Sequence, residues 1–227
     1  MIFDLDGTLI DSSEGIALAV ESTLEQMGQE PVSKEYIISK IGPPIGNAIA
    51  KIKNYTSNEL ELFNKTFSSK YGEQYLLDAE VYVGVPQLLS DLNENGYVLG
   101  IATNKREDFA IEILNQFDLS KYFKFICGMD VQGNLNKPNI VANCKYKMIE
   151  YGVKSIVMIG DSSSDMDSAQ KCNLGFIGVT YGFGFKSRSD FRISCNRQSV
   201  LTSERDKKAL HLKFIRSDSM TSGLFLT

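Results

Sequence analysis

Two carboxylates one residue apart, Asp4 and Asp6, close a short apolar run, Met1-Ile2-Phe3, and are followed at once by Gly7 and Thr8. Residues i and i+2 of a strand share a face, so both side chains would crowd one spot at the strand's C-terminal end. Carboxylates at that spacing repel unless a cation or a proton lies between them. An Asx turn with glycine at positive φ accounts for Asp6-Gly7 alone, but it gives no reason for Asp4. Further polar residues follow at expected element boundaries: Thr103-Asn104, then Lys137 ahead of Pro138, then Gly160-Asp161-Ser162-Ser163-Ser164-Asp165. Two acids, a hydroxyl, an ammonium and two more acids suit phosphoryl transfer. A carboxylate attacks phosphorus only when the charge between them is neutralised, which calls for a divalent cation on the acids and donors on the phosphate oxygens.

These residues need elements to aim them, and the periodicity supplies a consistent set. Ile16, Val20, Leu24 and Met27 recur at helical spacing after Ser12 or Ser13, and helical stretches follow at 34–41, 44–53 and from Ser57 to about Leu77. Pro86 opens another helix, which Gly96 ends. Strands and helices then alternate: strand 97–102, helix 107–117, strand 123–127, helix 138–151, strand 155–159, helix 164–173, strand 175–179. The runs Val98-Leu99-Gly100-Ile101 and Ile156-Val157-Met158-Ile159 read as strands buried on both faces. The expected fold is α/β, a doubly wound parallel sheet with a Rossmann-like core and an inserted all-helical segment. Its parts would be a discontinuous core at 1–13 and 81–185, a helical block at 14–80, and a tail at 186–227. Ligands of such sheets sit outside the C-terminal ends of the strands, where Asp4, Thr103 and Asp161 are expected.

Composition narrows the chemistry further. His211 is the only histidine, which argues against a Ser-His-Asp triad or a multi-histidine metal centre. Cys127, Cys144, Cys172 and Cys195 form no Cys-x-x-Cys pair and begin no Cys-x5-Arg loop, so they are read as buried reduced thiols. The net charge of −4 argues against general nucleic-acid binding. It is unevenly spread, with −9 on residues 1–185 and +5 on residues 186–227. No apolar run approaches the roughly eighteen residues of a membrane span, and no signal-peptide pattern opens the chain. The expectation is a cytoplasmic protein without membrane contact, of open oligomeric state.

In this order, Asp4-Leu5-Asp6-Gly7-Thr8, Thr103, Lys137 and Gly160-Asp161-Ser162-Ser163-Ser164-Asp165 resemble the four motifs of the haloacid dehalogenase superfamily, across about residues 1–185. The resemblance implies that Asp4 is the nucleophile and becomes an aspartyl-phosphate, while Asp6 protonates the leaving oxygen and then activates water. It implies Mg²⁺ on the Asp4 carboxylate, the Asp6 backbone carbonyl and Asp161, with Asp165 holding one of the metal's waters. Thr103, Lys137 and the backbone N–H of Asn104 would bind phosphoryl oxygens. The carboxylic acid at Asp6 favours a phosphate ester over a carbon–halogen bond, and the helical block corresponds to a cap closing over a small phosphorylated metabolite.

Thr103-Asn104-Lys105 and Gly178-Val179-Thr180-Tyr181-Gly182 resemble the phosphoglycolate phosphatase-like branch, and the turn Ile41-Gly42-Pro43-Pro44-Ile45-Gly46 equally resembles cytosolic nucleotidase relatives. A β-phosphoglucomutase-like phosphomutase is the near rival. A receiver-like signalling module is the distant one, and the helical block of some sixty residues counts against it. Asp11 and Ser12 are read as helix caps, and Tyr55, Phe63, Phe67 and Tyr71 as packing residues. Relatives usually carry several more residues before the first acid, so the central strand is expected to be short. After Gly184 the family pattern ends, and only Phe191-Arg192-Ile193 is strand-like in the Ser- and Thr-rich tail.

Overall fold

The structure, a computed structural model, describes residues 1–187, residue 190 and the strand Phe225–Leu226. Phe191-Arg192-Ile193 and Cys195 lie outside the described residues, as does most of the basic tail. The chain runs β1 (Ile2–Phe3), β2 (Ile10–Asp11), α1 (Ser13–Gln26), α2 (Lys34–Ile38), α3 (Ile45–Lys53), α4 (Ser57–Lys70), a π-helical turn at Tyr71–Tyr75, β3 (Glu80–Val81), α5 (Val85–Glu94), β4 (Gly100–Arg106), α6 (Glu107–Gln116), β5 (Phe125–Met129), α7 (Lys137–Glu150), β6 (Val157–Gly160), α8 (Ser163–Lys171), β7 (Gly175–Gly178) and β8 (Phe225–Leu226). No helix among the described residues is long and apolar enough to cross a membrane.

The main sheet has the order β5-β4-β1-β6-β7-β8, and all its pairings are parallel except the last. The α/β expectation therefore holds, with helices between successive parallel strands. From β1 the chain builds outward through β4 and β5, then returns to β6 on the other side of β1. That change of direction opens a crevice at the carboxyl ends of the strands around β1. Although β1 has two residues, it is paired on both sides, Ile2 with Gly100 and Met158, Phe3 with Ile101 and Ile159. The ladder extends one residue further, because the Asp4 amide donates to the Ile159 carbonyl at 2.9 Å. Ile2, Phe3 and all of β6 are buried, as apolar strands between two helical layers must be. Gly100 lets α7 approach β4 closely, since a Cβ there would meet Cys144 Sγ at 2.8 Å.

Helices α1 to α4 are inserted between two short strands that the sequence did not announce. Strands β2 and β3 pair antiparallel, Ile10 with Val81 and Asp11 with Glu80, so the chain leaves and re-enters the sheet region through one narrow ribbon. The helices bury Val20, Leu24, Ile37, Ile49 and Phe63 against one another. Thr56 and Glu59 form a capping box that starts α4. Phe63, Phe67 and Tyr71 stack at helical spacing, with centroids 6.0 and 5.6 Å apart.

The helix expected to run to about Leu77 instead gives way to the π-helical turn at Tyr71. Gly72 in that turn faces Phe109 so closely that a Cβ would stand 2.7 Å from the ring. Phe63 is the fully buried member of the stack. Phe63→Ala is expected to cost about 3–5 kcal/mol in chemical denaturation, and a loss below about 1 kcal/mol would contradict this packing.

Candidate active site

Asp4 follows β1, Asp161 follows β6, and Asp165 lies in the first turn of α8, so three different backbone positions deliver acids to one place. One carboxylate oxygen from each lies within 4.8 Å of the others, and all three residues are buried. Lys137, the first residue of α7, places its ammonium 2.7 Å from Asp4 Oδ1 and 2.8 Å from Asp165 Oδ1. A cation at a helix N-terminus opposes the helix dipole, and these two carboxylates offset that. The remaining contacts lock the acids in place. Asp165 Oδ2 accepts the Ser162 amide at 3.1 Å and its hydroxyl at 2.6 Å. Asp161 Oδ2 accepts the amides of Phe183 and Gly184 at 2.7 and 3.0 Å.

Two glycines make room for this arrangement. Gly7 has φ +78, and a Cβ on it would stand 2.4 Å from Asp161 Oδ2. A Cβ on Gly182 would stand 2.2 Å from the Gly7 carbonyl oxygen and 2.5 Å from Asp161 Oδ2. No other residue type fits either position without moving Asp161.

Three buried carboxylates facing one ammonium are electrostatically unfavourable, and the proton affinities of Asp4 and Asp161 reflect it. Burial, then the neighbouring Asp165, push Asp4 well above the usual carboxylate range. The same two causes push Asp161 up to about 6. Burial also opposes the charge on Lys137, but Asp165 and Asp4 outweigh it and hold the ammonium above its ordinary value. Asp161 Oδ1 is buried without a hydrogen-bond partner, and the Oδ1 atoms of Asp4 and Asp165 have only the Lys137 ammonium. Oxygen-only donors converging in a dry site with unsatisfied lone pairs fit a hard divalent cation.

Asp6 does not join the cluster with its carboxylate. Oδ1 takes a hydrogen bond from Ser12 Oγ at 2.5 Å and lies 3.0 Å from Lys105 Nζ. Ser12 is the N-cap of α1 by position, but its side chain caps nothing; Asp11 accepts the Ser13 amide instead. Thr103 is buried in β4, and its Oγ1 accepts the Lys105 amide at 3.1 Å. Asn104 points away toward the helices, donating from Nδ2 to the Gly42 carbonyl at 2.9 Å.

A cleft of about 640 Å³ lies between the helices and the sheet. The turn 41–47 and one face of α4 wall one side, residues 104–106 and 129–133 the other, and Asp6 borders it.

Residues 1–179 match the family model of haloacid dehalogenase-like hydrolases. The chain belongs to that family. Among its relatives is a phosphoglycolate phosphatase of Neisseria meningitidis, 32% identical over 188 residues that cover 80% of each protein. A 5'-nucleotidase of Pseudomonas aeruginosa is 30% identical over 188 residues, 81% of this chain and 83% of that protein. Among solved structures, a protein of Clostridium acetobutylicum described as a predicted phosphatase is 34% identical, with a TM-score of 0.74 over 82% of this chain and 86% of the other. The chain is thus a haloacid dehalogenase-like hydrolase whose matched relatives include phosphatases.

Sequence reasoning named Lys105 only within a branch resemblance and Tyr71 only as packing, and did not find the amides of Phe183 and Gly184. Lys105 stands two residues after Thr103 in an extended segment, a spacing that places side chains on one side. The glycines of Gly182-Phe183-Gly184 were the signal of a close backbone approach. Ser12 was legible only once the chain had folded back on itself.

An acid whose folded-state pKa lies above its unfolded value holds more protons when folded, so its ionisation costs stability as pH rises from 3.8 toward about 6. At pH 7.5 in chelator, Asp161→Asn is therefore expected to be about 1–3 kcal/mol more stable than wild type. Added Mg²⁺ should stabilise wild type and leave the variant unchanged. A variant less stable than wild type in chelator would contradict the charge-crowding account.

Proposed function

We propose that this chain is a Mg²⁺-dependent phosphatase of small phosphate monoesters that works through a phosphorylated Asp4, with residues 1–13 and 81–185 as the catalytic core and residues 14–80 as a cap. The observation that carries this reading is the convergence of Asp4, Asp161 and Asp165 on one buried point with Lys137 between two of them. Asp4, Asp161 and the carbonyl of Asp6 would hold the metal, with Asp165 in support. When bound, the cation neutralises the acids and polarises the phosphoryl group.

The side chains then divide the work. Asp4 forms a bond to phosphorus while the ester P–O bond breaks, and Asp6 gives its proton to the departing oxygen. In the second step Asp6, now a carboxylate, takes a proton from the water that attacks the aspartyl-phosphate and releases inorganic phosphate. Lys137 and Thr103 bind equatorial phosphoryl oxygens, as does the backbone N–H of Asn104. The side chain of Asn104, bonded to the Gly42 carbonyl, instead ties that phosphate-binding strand end to the helices. Helices over the cleft exclude bulk water and read the alcohol that leaves.

A two-carbon acid phosphate such as phosphoglycolate is the first substrate reading, on the strength of the Neisseria meningitidis relative. A nucleoside monophosphate is the second, favoured by the Pseudomonas aeruginosa relative and by a cleft of about 640 Å³ that exceeds what glycolate fills.

Purified protein with Mg²⁺ is expected to release inorganic phosphate from one of these esters, and Asp4→Asn to lower the rate by about 10³-fold or more. Full activity of Asp4→Asn would refute the nucleophile, and full activity in excess chelator would refute the metal.

A further inference from the structure

Lys105 is an ammonium buried beside the general acid. Its side chain is 5% exposed, and Asp6 is its ion-pair partner among the described residues, at 3.0 Å from Oδ1. It also donates to the Tyr71 hydroxyl and stands 4.5 Å from the centroid of that ring. The strand end that carries Lys105 is tied to the helices residue by residue. Asn104 reaches Gly42 of the turn before α3, Lys105 reaches Tyr71 of the π-helical turn, and Arg106 donates to Ser68 of α4 at 2.5 Å.

Both partners of Asp6, a hydrogen bond from Ser12 Oγ and the ion pair with Lys105 Nζ, fall on Oδ1. A carboxyl group held on one oxygen by a hydrogen bond and an ammonium loses its freedom to rotate, and its other oxygen takes a fixed direction. We propose that Lys105 is a positioning residue: its ammonium, anchored by the Tyr71 hydroxyl of the helical segment, turns Asp6 so that Oδ2 delivers the proton to the leaving oxygen. The inference rests on Asp6 being the proton donor of the reaction proposed above. As the ester P–O bond breaks, the Oδ2 proton moves to the alcohol oxygen, and the carboxylate left behind faces the Lys105 ammonium. Docking of the helices and aiming of the acid then depend on the same side chain.

Leaving-group dependence separates positioning from binding or folding. A nitrophenolate departs with little help from an acid, whereas an alkoxide needs the proton. Lys105→Met and Tyr71→Phe are assayed on p-nitrophenyl phosphate and on whichever of phosphoglycolate and AMP the wild type hydrolyses faster. For Lys105→Met the loss in kcat is expected to be about tenfold or more greater on the alkyl ester than on the aryl ester, with each KM within about threefold of wild type.

Tyr71→Phe keeps the stacked ring and removes only the hydroxyl. It is expected to show a smaller selective loss of the same sign, and it carries the test if Lys105→Met does not fold. Equal kcat losses on both esters, or an effect confined to KM, would overturn the proposal. Retention of both activities by Asp4→Asn is a separate outcome that would remove the underlying reaction itself.

Discussion

Three carboxylates share a buried space with a single ammonium, and the architecture around them is what keeps that unfavourable charge in place. Asp4, Asp161 and Asp165 cannot relax away from one another, because each is fixed by backbone it does not control. Asp4 is set by a strand paired on both sides, Asp161 by two amides of the 183–184 loop, and Asp165 by the capping box with Ser162. A protein tolerates such a site only when the rest of the fold supplies the stability. Here the buried strands and the two hydrophobic clusters beside them do so. In the proposed reaction that repulsion would be offset by a divalent cation on the acids.

A second constraint follows from how tightly the loops close over the acids. A Cβ on either Gly7 or Gly182 would overlap Asp161, and one on Gly182 would also meet the Gly7 carbonyl oxygen. The loop after β7 thereby becomes part of the floor of the site, although it is some 175 residues from Asp4 in sequence. On the other side, residues 104–106 fasten the end of β4 to three separate points on the helices. The ribbon of β2 and β3 is the remaining covalent connection between helices and sheet. The helical segment is thus joined to the sheet by two short strands, by three polar side chains at the cleft and by apolar packing such as Tyr71 against Phe109.

Much of this was legible before the chain was folded, for identifiable reasons. Runs such as Val157-Met158-Ile159 could only be strands covered on both faces, and the polar residues that interrupt them had to lie at strand ends. Asp4, Lys137, Asp161 and Asp165 were singled out on that basis, and in the structure they meet. Other features are decided by contacts between distant segments. The π-helical turn brings Gly72 against Phe109, the β2–β3 ribbon depends on a pairing across seventy residues, and the Lys105–Asp6 pair depends on β4 lying beside β1. Ser12 shows the same effect at close range: its hydroxyl was read as a helix cap, and the fold offered it a carboxylate instead.

The central claim is that Asp4, alone among these acids, becomes covalently phosphorylated. Borohydride reduces an acyl phosphate, and leaves a free carboxylate untouched, so treatment during turnover converts a phosphorylated aspartate to homoserine. Peptide mass spectrometry after quenching in borohydride should find homoserine at position 4 only when substrate and Mg²⁺ are both present. Homoserine at position 161 or 165, or at no position while phosphate is being released, would contradict the account.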